Sequence, residues 1–380
     1  MKVVFISNFF NHHQEPFSLE MANSVEEYYF VATAPLNKER IALGYEDMNA
    51  KYPFIIRAYE SQESKTFAIK VIKEADFVIY GSAPEEYIYD RIESGKTVFY
   101  YSERIYKKPP NPLKFPVRVL KLKKKYRAYK NQFMLCASAY TPYDFARSKA
   151  FIGRTYKWGY FPKTMVYDDV DGLIEKKEPC SILWAGRFIG WKHPEFALKL
   201  AKALKSDGYP HRIKIVGAGE MEDDLKNTAT DWNLDNVEFC GSFPPEKVRN
   251  LMEKTEIFIF TSNREEGWGA VLNEAMNSAC AVVGSSACGS VPFLIDDGEN
   301  GVIFRSEDFC DFYGKVKSLT DNPTKRKEIS LKAYRTITDE WNASVAVKKF
   351  LSLCNEILSG AEIPEGAPCG VCSKAEILKG

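Results

Sequence analysis

The chain has 380 residues, 52 of them Lys or Arg against 51 Asp or Glu, and 45% are hydrophobic. That length suits two domains, or two with a tail, and the ordinary composition excludes a disordered or collagen-like chain. No run approaches the roughly 18 apolar residues of a membrane span, and the nine scattered cysteines read as reduced thiols, not a disulfide framework.

The near-zero net charge conceals an asymmetry: residues 1–165 hold 26 Lys and Arg against 17 Asp and Glu, and the remainder holds 26 against 34. The first half is the basic half. The opening MKVVFISNFF has an apolar run of only four residues, too short for a signal-peptide core, so the expected location is cytoplasmic.

Lys2 to Ile6 reads as a first strand, being β-branched and aromatic. The loop SNFFNHHQEP follows, and a helix starts near Phe17 with Pro16 in or before its first turn. Asn8, Asn11, His12, His13 and Gln14 therefore stand at the carboxyl end of a strand, where an α/β sheet receives ligands. The same residues also suit plain helix capping. On an extended chain adjacent side chains point apart, so at most one of the two histidines is expected to face a ligand.

Strands follow at Tyr28–Ala32, Phe54–Arg57 and Phe77–Tyr80, with helices near Glu63–Glu74 and from Pro84 to about Glu93, the latter ending at Gly95. The strand Thr97–Tyr101 then delivers Ser102, Glu103 and Arg104. Repeated strand–helix units of this kind predict a parallel, doubly wound sheet. Glu103 and Arg104 read either as ligand-facing groups or as a plain surface pair.

The segment Lys107–Lys130 carries ten basic residues and no acidic one. Its prolines predict a helix only from Val117, with Leu120, Leu122, Tyr126 and Tyr129 among the charges. A solvated basic face and a patch for an anionic membrane surface are both open readings. Nucleic acid is not expected, since no recognition motif accompanies the patch. After the strand Phe133–Ala137, Ser138 or Thr141 is placed to cap a helix with Pro142 in its first turn. Asp168 to Gly172 has an Asp-x-Asp spacing but lacks a preceding buried strand, and reads as linker.

A second series of strands opens at Ser181–Ala185, followed by GRFIGWKHPEF with Arg187 and Lys192 in a strand–loop–helix setting. Two fixed cations there would neutralise a diphosphate. Strand Arg212–Val216 runs into Gly217 and Gly219; this lone Gly-x-Gly suits a plain turn as well as a nucleotide contact. Strand Val237–Phe239 ends at Gly241, Ser242 and Phe243.

The most informative stretch runs from Thr255 to Gly301. A buried-strand run, Ile257–Phe260, ends in polar Thr261, Ser262 and Asn263 and turns through Arg264 to Gly269. A helix follows with Val271, Leu272, Ala275 and Met276 on its apolar stripe. Glu266 and Glu274, with seven residues between them, flank Gly267, Trp268 and Gly269. Glycine lets backbone N–H groups approach a phosphate, and a helix start adds unpaired donors. Two carboxylates beside such a site would repel phosphate unless each accepts hydroxyl hydrogen bonds. A nucleotide-sugar offers hydroxyls at both ends of a diphosphate.

This stretch, through GWGAVLNEAM and GSVPFLIDDGENG, resembles the Glu-x7-Glu motif of retaining glycosyltransferases of family 4, which have the GT-B fold. The resemblance is strongest over residues 180–304. It implies two Rossmann-like doubly wound domains facing a cleft. The expected divisions are an acceptor-side domain at 1–165, a linker at 166–179 and a nucleotide-sugar domain at 180–340. A crossover helix at 341–359 would pack toward the first domain, with a flexible tail at 360–380. The resemblance also implies Glu274 on the ribose, Glu266 on the sugar, and Arg187, Lys192 and the N–H groups of Gly267 to Gly269 on the diphosphate. Gly217, Gly219, Ser242 and Phe243 would complete the donor side. The first loop of such enzymes is usually glycine-rich and a histidine often stands near Glu103; this chain has neither. His13 and Glu103 are therefore the candidate polar groups of the first domain, with Asn11, His12 and Arg104 on the acceptor side. No metal or cofactor is implied, the nucleotide-sugar being a co-substrate. The implied acceptor is a glycan or a lipid-linked glycan in surface polysaccharide or lipopolysaccharide assembly, with a UDP-sugar as donor. A sugar-nucleotide epimerase of the same fold and a non-catalytic nucleotide-sugar-binding partner are the alternatives.

Overall fold

The computed structural model describes residues 1–36, 46–126 and 130–379. The chain divides into two compact units, Met1–Lys163 with Trp341–Lys379, and Thr164–Glu340.

The first unit is a seven-stranded parallel sheet. Its strands are β1 (Lys2–Ser7), β2 (Glu27–Ala32), β3 (Ile55–Arg57), β4 (Phe77–Tyr80), β5 (Val98–Ser102), β6 (Gln132–Cys136) and β7 (Thr155–Lys157), in the order β3-β2-β1-β4-β5-β6-β7. The second unit is a six-stranded parallel sheet with the same reversal. It holds β8 (Glu178–Ala185), β9 (Arg212–Val216), β10 (Val237–Gly241), β11 (Thr255–Phe260), β12 (Ala281–Ser285) and β13 (Val302–Phe304), ordered β10-β9-β8-β11-β12-β13. Both units are α/β and Rossmann-like. Helices on both faces force central strands to be apolar throughout, and Val3, Val4, Phe5 and Ile6 of β1 are all buried. In the second unit Ile182, Trp184, Ile213, Ile215, Ile257 and Ile259 pack against Phe196, Leu200 and Leu204 of the helix Glu195–Ser206.

Strand order reverses between β1 and β4 in one sheet and between β8 and β11 in the other. At such a switch point neighbouring loops diverge to opposite faces and leave a crevice beyond the carboxyl ends of the strands. The switch-point loops are therefore those after β1 and β4 in the first unit, with the loop after β5 one strand further out, and those after β8 and β11 in the second.

Several expectations need correcting. The basic helix runs Phe115–Tyr126, starting before Val117, because Pro116 falls in its first turn, where a missing N–H costs nothing. Arg127, Ala128 and Tyr129 lie outside the described residues. The helix expected from Pro84 to Glu93 is split into a 3-10 turn, Glu85–Tyr87, and a short helix, Tyr89–Glu93. Buried Arg91 in that short helix donates to the carbonyls of Ile72, Ala75, Asp76 and Thr97, so a cation fixes it rather than an apolar stripe. The helix Thr141–Ala146 has no side-chain cap; the Thr141 hydroxyl donates to the Ser102 carbonyl instead.

The residues read as linker belong with the second unit. Asp169 caps a helix, Val170–Glu175, by accepting from the Gly172 N–H, and Ile174 packs on Ala279 and Tyr334. The end of the chain is not a loose tail. Residues 372–375 run antiparallel along β7, with Cys372 N–H donating to the Lys157 carbonyl and Ala375 N–H to that of Thr155. Tyr156 donates to the Pro364 carbonyl at 2.6 Å, and Cys372 is fully buried. The strip covers an edge strand that would otherwise expose unpaired backbone groups. The helix Ala343–Leu358 belongs to the first unit, with Phe350 5.0 Å from Phe99 and 5.9 Å from Trp158, centroid to centroid.

Candidate active site

In the second unit the loop after β8 runs beside the loop after β9. Gly186 N–H donates to the Val216 carbonyl and Phe188 N–H to that of Ala218. A Cβ on Gly217 would lie 1.8 Å from the Gly186 carbonyl oxygen, and one on Gly219 2.5 Å from that of Phe188. Close backbone approach therefore demands both glycines, whatever ligand they meet.

The same loop is fastened to the end of β11. Trp184 Nε1 donates to Thr261 Oγ1 at 2.8 Å, and that hydroxyl donates onward to the Lys192 carbonyl at 2.7 Å. Asn263 N–H donates to the Trp191 carbonyl. With its backbone held from both sides, Lys192 extends Nζ to Glu266 Oε2 at 2.5 Å. Ser262 Oγ donates to the same oxygen at 3.2 Å. The Lys192 and Glu266 side chains are only 13% and 12% exposed. Among the described residues no donor reaches Glu266 Oε1. Arg187 is exposed, its guanidinium 5.7 Å from the Trp191 ring centroid, and the Lys192 ammonium lies 4.9 Å from the same centroid. The two expected phosphate ligands are thus gathered on one loop around Trp191, and the expected sugar ligand sits on one of them.

Gly269 has φ +80°, and a Cβ there would come within 2.3 Å of the Phe260 ring and 3.3 Å of Glu266 Cγ. Trp268 is not available as a side-chain ligand. Its indole is buried and donates to Asn273 Oδ1 at 2.8 Å, leaving only its backbone to a ligand. Glu274 lies in the helix Val271–Asn277 with part of its side chain exposed. Burial pushes its carboxyl pKa upward, opposed by the Arg249 guanidinium. Arg249 also donates to Asn277 Oδ1 at 2.8 Å. Ser242 is exposed beyond β10, and Phe243 is half-buried with the Lys247 ammonium 3.7 Å from its ring centroid.

In the first unit the loop after β1 needs no glycine. Phe9 and Phe10 insert into the core, and Phe10 N–H donates to Asn49 Oδ1 at 2.8 Å. Asn11 Oδ1 accepts from the His13 N–H, and its carbonyl accepts from Gln14 and Glu15, which makes a turn. That turn corrects the picture of histidines pointing apart: the His12 and His13 ring centroids are 3.9 Å apart. His13 stacks on Tyr160 at 5.5 Å, and Tyr160 donates to Glu103 Oε1 at 2.6 Å. Lys107 donates to Glu103 Oε2 at 2.6 Å. Burial pushes the Tyr101 and Tyr160 phenols well up, so both stay protonated donors. Arg104 is neither a surface partner of Glu103 nor an acceptor-side group. It is 3% exposed, 3.8 Å from Asp144 and over the Tyr140 ring. Asp144 accepts the Ile105 and Tyr106 N–H groups, so the ion pair folds the chain inward just after Glu103.

Sequence reasoning missed Tyr160, although it ends the stretch after β7 by the same carboxyl-end logic. It also missed His193 and the Thr261–Asn263 clasp. Among the described residues no group of three or more His, Cys, Asp or Glu is arranged to hold a metal.

Residues 169–336 match the family model described as Glycosyl transferases group 1. The matched residues all lie in the second unit. The uncharacterized glycosyltransferase MJ1069 of Methanocaldococcus jannaschii is 26% identical over 184 residues, 48% of this chain and 47% of that protein. The amylovoran biosynthesis glycosyltransferase AmsK of Erwinia amylovora is 24% identical over 186 residues, 47% and 46% respectively. The chain therefore spans about half the length of the curated relatives it matches. In fold it is similar to Anabaena Alr3699/HepE in complex with UDP, with a TM-score of 0.67 and 15% identity over 95% of this chain and 100% of that one. Two Rossmann-like units of the GT-B kind are thus common to both.

The second unit holds Glu274 at a stability cost. A carboxyl whose folded pKa is raised binds its proton more tightly folded than unfolded. The penalty for burying it ionised is full above the folded pKa and vanishes as pH falls below the unfolded value. Glu274→Gln is expected to raise Tm near neutral pH and to change it little at about pH 4. Thermal unfolding at the two pH values checks this, and a variant less stable than wild type near neutral pH contradicts it.

Proposed function

We propose that this chain is a retaining glycosyltransferase, similar to family 4 enzymes, that transfers a hexose from a UDP-sugar to a glycan or lipid-linked acceptor in surface polysaccharide assembly. The observation that carries this reading is the Lys192–Glu266 pair at the switch point of the second unit, with Lys192 on the same loop as Arg187 and Glu266 just ahead of the helix that bears Glu274 in its first turn. An anionic diphosphate would draw on the two cations, and sugar and ribose hydroxyls would donate to Glu266 and Glu274. The UDP in the HepE complex and the polysaccharide role in the name of AmsK support the choice of donor and pathway class.

In this reading the bond between the anomeric carbon and the phosphate oxygen breaks as Arg187, Lys192 and the backbone N–H groups around Gly267 to Gly269 stabilise the charge left on the diphosphate. The acceptor hydroxyl attacks from the face the phosphate leaves, and its proton passes to a departing phosphate oxygen. Positioned cations suffice for that leaving group, so no metal is required. His13 and Glu103, held together through Tyr160, are the polar groups the first unit offers the acceptor.

We also propose that the first unit docks on an anionic membrane surface. The helix Phe115–Tyr126 turns its aromatic ends inward, with Arg147 over Phe115 and Tyr126 against Tyr100 and Phe151. Val117 and Leu120 point outward at 55% and 64% exposure, preceded by Leu113 at 88%, among exposed Lys114, Lys121 and Lys124. Among the described residues no helix is long and apolar enough to cross a membrane.

Two experiments test these statements. Incubation with UDP-sugars and an acceptor panel should yield a glycoside whose anomeric configuration, read by proton NMR, matches the donor. Lys192→Ala should lower kcat/KM by about 100-fold, the scale of losing one fixed stabiliser of a leaving group. Inverted product contradicts the retaining step, conversion of donor sugar without acceptor marks an epimerase, and binding without any product marks a partner protein. Sedimentation with vesicles should show binding to phosphatidylserine-containing vesicles, lost in the Lys121→Glu, Lys124→Glu double variant and in high salt. Equal binding to neutral vesicles, or none to either, contradicts the membrane surface.

A further inference from the structure

The residue that follows Lys192 is held in an unusual way. His193 has φ +51° and ψ +52°, the left-handed region, which a side-chain-bearing residue enters only at a cost of about 1–2 kcal/mol. It closes the 3-10 turn Gly190–Lys192, and its N–H donates to the Gly190 carbonyl. Reversing the chain at this point directs Lys192 back toward Glu266.

The His193 imidazole is held from three elements. Nδ1 lies 2.8 Å from Glu195 Oε1, at the start of the helix Glu195–Ser206. Nε2 lies 3.6 Å from Glu307 Oε1 in the loop after β13, and 3.3 Å from Asn263 Nδ2 in the loop after β11. Asn263 Nδ2 also donates to Glu307 at 3.1 Å, and the ring sits 5.6 Å from Phe196. Lys199 is the further charge acting on this group, through Glu195. Asn263 is the joint: its N–H holds the Trp191 carbonyl, and its own carbonyl accepts the Glu266 N–H. One residue thus touches, through its backbone, both the loop that carries Lys192 and the turn that carries Glu266.

We propose that His193 is a positioning residue for the donor diphosphate: the left-handed turn it closes, tied through its imidazole to Glu195, Glu307 and Asn263, aims Lys192 at the phosphate and makes donor affinity pH-dependent. This rests on the reading of Lys192 as a diphosphate ligand. The two states of the ring have different partners. Protonated, it donates from Nδ1 to Glu195 and from Nε2 toward Glu307, and it adds a positive charge beside the site. Neutral, it keeps the Glu195 bond but Nε2 becomes an acceptor, served by the Asn263 amide, and the pull on Glu307 is lost. The two carboxylates raise the histidine pKa above its ordinary value. Its contribution is therefore complete below the ordinary value and is lost as pH rises through the folded one.

The test is calorimetric titration of UDP and of inorganic pyrophosphate into wild type, His193→Asn and Glu307→Gln at about pH 6 and about pH 9. Asparagine tolerates the left-handed conformation but carries no charge, and Glu307 is 60% exposed, so neither change threatens the fold. Both variants should bind UDP several-fold more weakly than wild type at the lower pH and converge on it at the higher one. The ratio of variant to wild type removes the ionisation of the ligand itself. A merely structural histidine would shift affinity equally at both pH values. An equal shift, or unchanged affinity in both variants while wild type binds, overturns this proposal and leaves the donor reading standing. A wild type that binds neither probe overturns both.

Discussion

The ammonium of Lys192 on the carboxylate of Glu266 is the contact on which the chemistry proposed for the second unit depends. It joins the end of β8 to the end of β11 across the point where strand order reverses. A charge-assisted hydrogen bond of this kind contributes about 1.5–3 kcal/mol, and losing one partner leaves a largely buried charge whose desolvation is not offset. A nucleotide-sugar would have to supply replacements, phosphate oxygens for the lysine and hydroxyl donors for the glutamate. In the proposed reading the pair is a preformed site, with Glu266 Oε1 open among the described residues. Thr261 and Asn263 keep that geometry by bonding the lysine loop through its carbonyls, which leaves the side chains for the ligand.

The two units solve the same topological problem with different chemistry. Both sheets are parallel, both reverse next to their first strand, and both place their polar loops beyond the carboxyl ends. In the second unit close loops demand glycines, as the 1.8 Å approach to Gly217 shows, and the site is built from charges. In the first unit Phe9 and Phe10 fill the space that a glycine-rich loop would leave. Its site is aromatic and histidine-bearing, with Tyr160 linking His13 to Glu103. An ionic surface for a diphosphate and an aromatic, hydroxyl-bearing surface for a sugar-like acceptor match the roles proposed for them.

Much of this was legible in the sequence because parallel strands are apolar on both faces and stop abruptly. The limits of β4 and β9 follow directly from that contrast. The loop residues Arg187, Lys192 and Glu266 were legible for the same reason, since charges at the end of a buried strand face its carboxyl edge. Side-chain direction was not. His12 and His13 come together because Asn11 bends the chain into a turn, which no periodicity reveals. Arg104 turns inward because Asp144, 40 positions away, accepts two backbone N–H groups beside it. Trp268 is taken into the core by Asn273, and residues 372–375 are held by hydrogen bonds to β7. Each of these is a long-range or turn-dependent contact, and composition and spacing carry no record of it.

The most direct test of the central claim is calorimetric titration of a panel of nucleotide-sugars, in EDTA, into wild type and Glu274→Ala. The account predicts selective binding of a UDP-sugar by wild type, unaffected by the chelator, and weakened about tenfold or more when the carboxylate proposed to hold the ribose is removed. Binding that needs a divalent ion, or that survives Glu274→Ala unchanged, would contradict it.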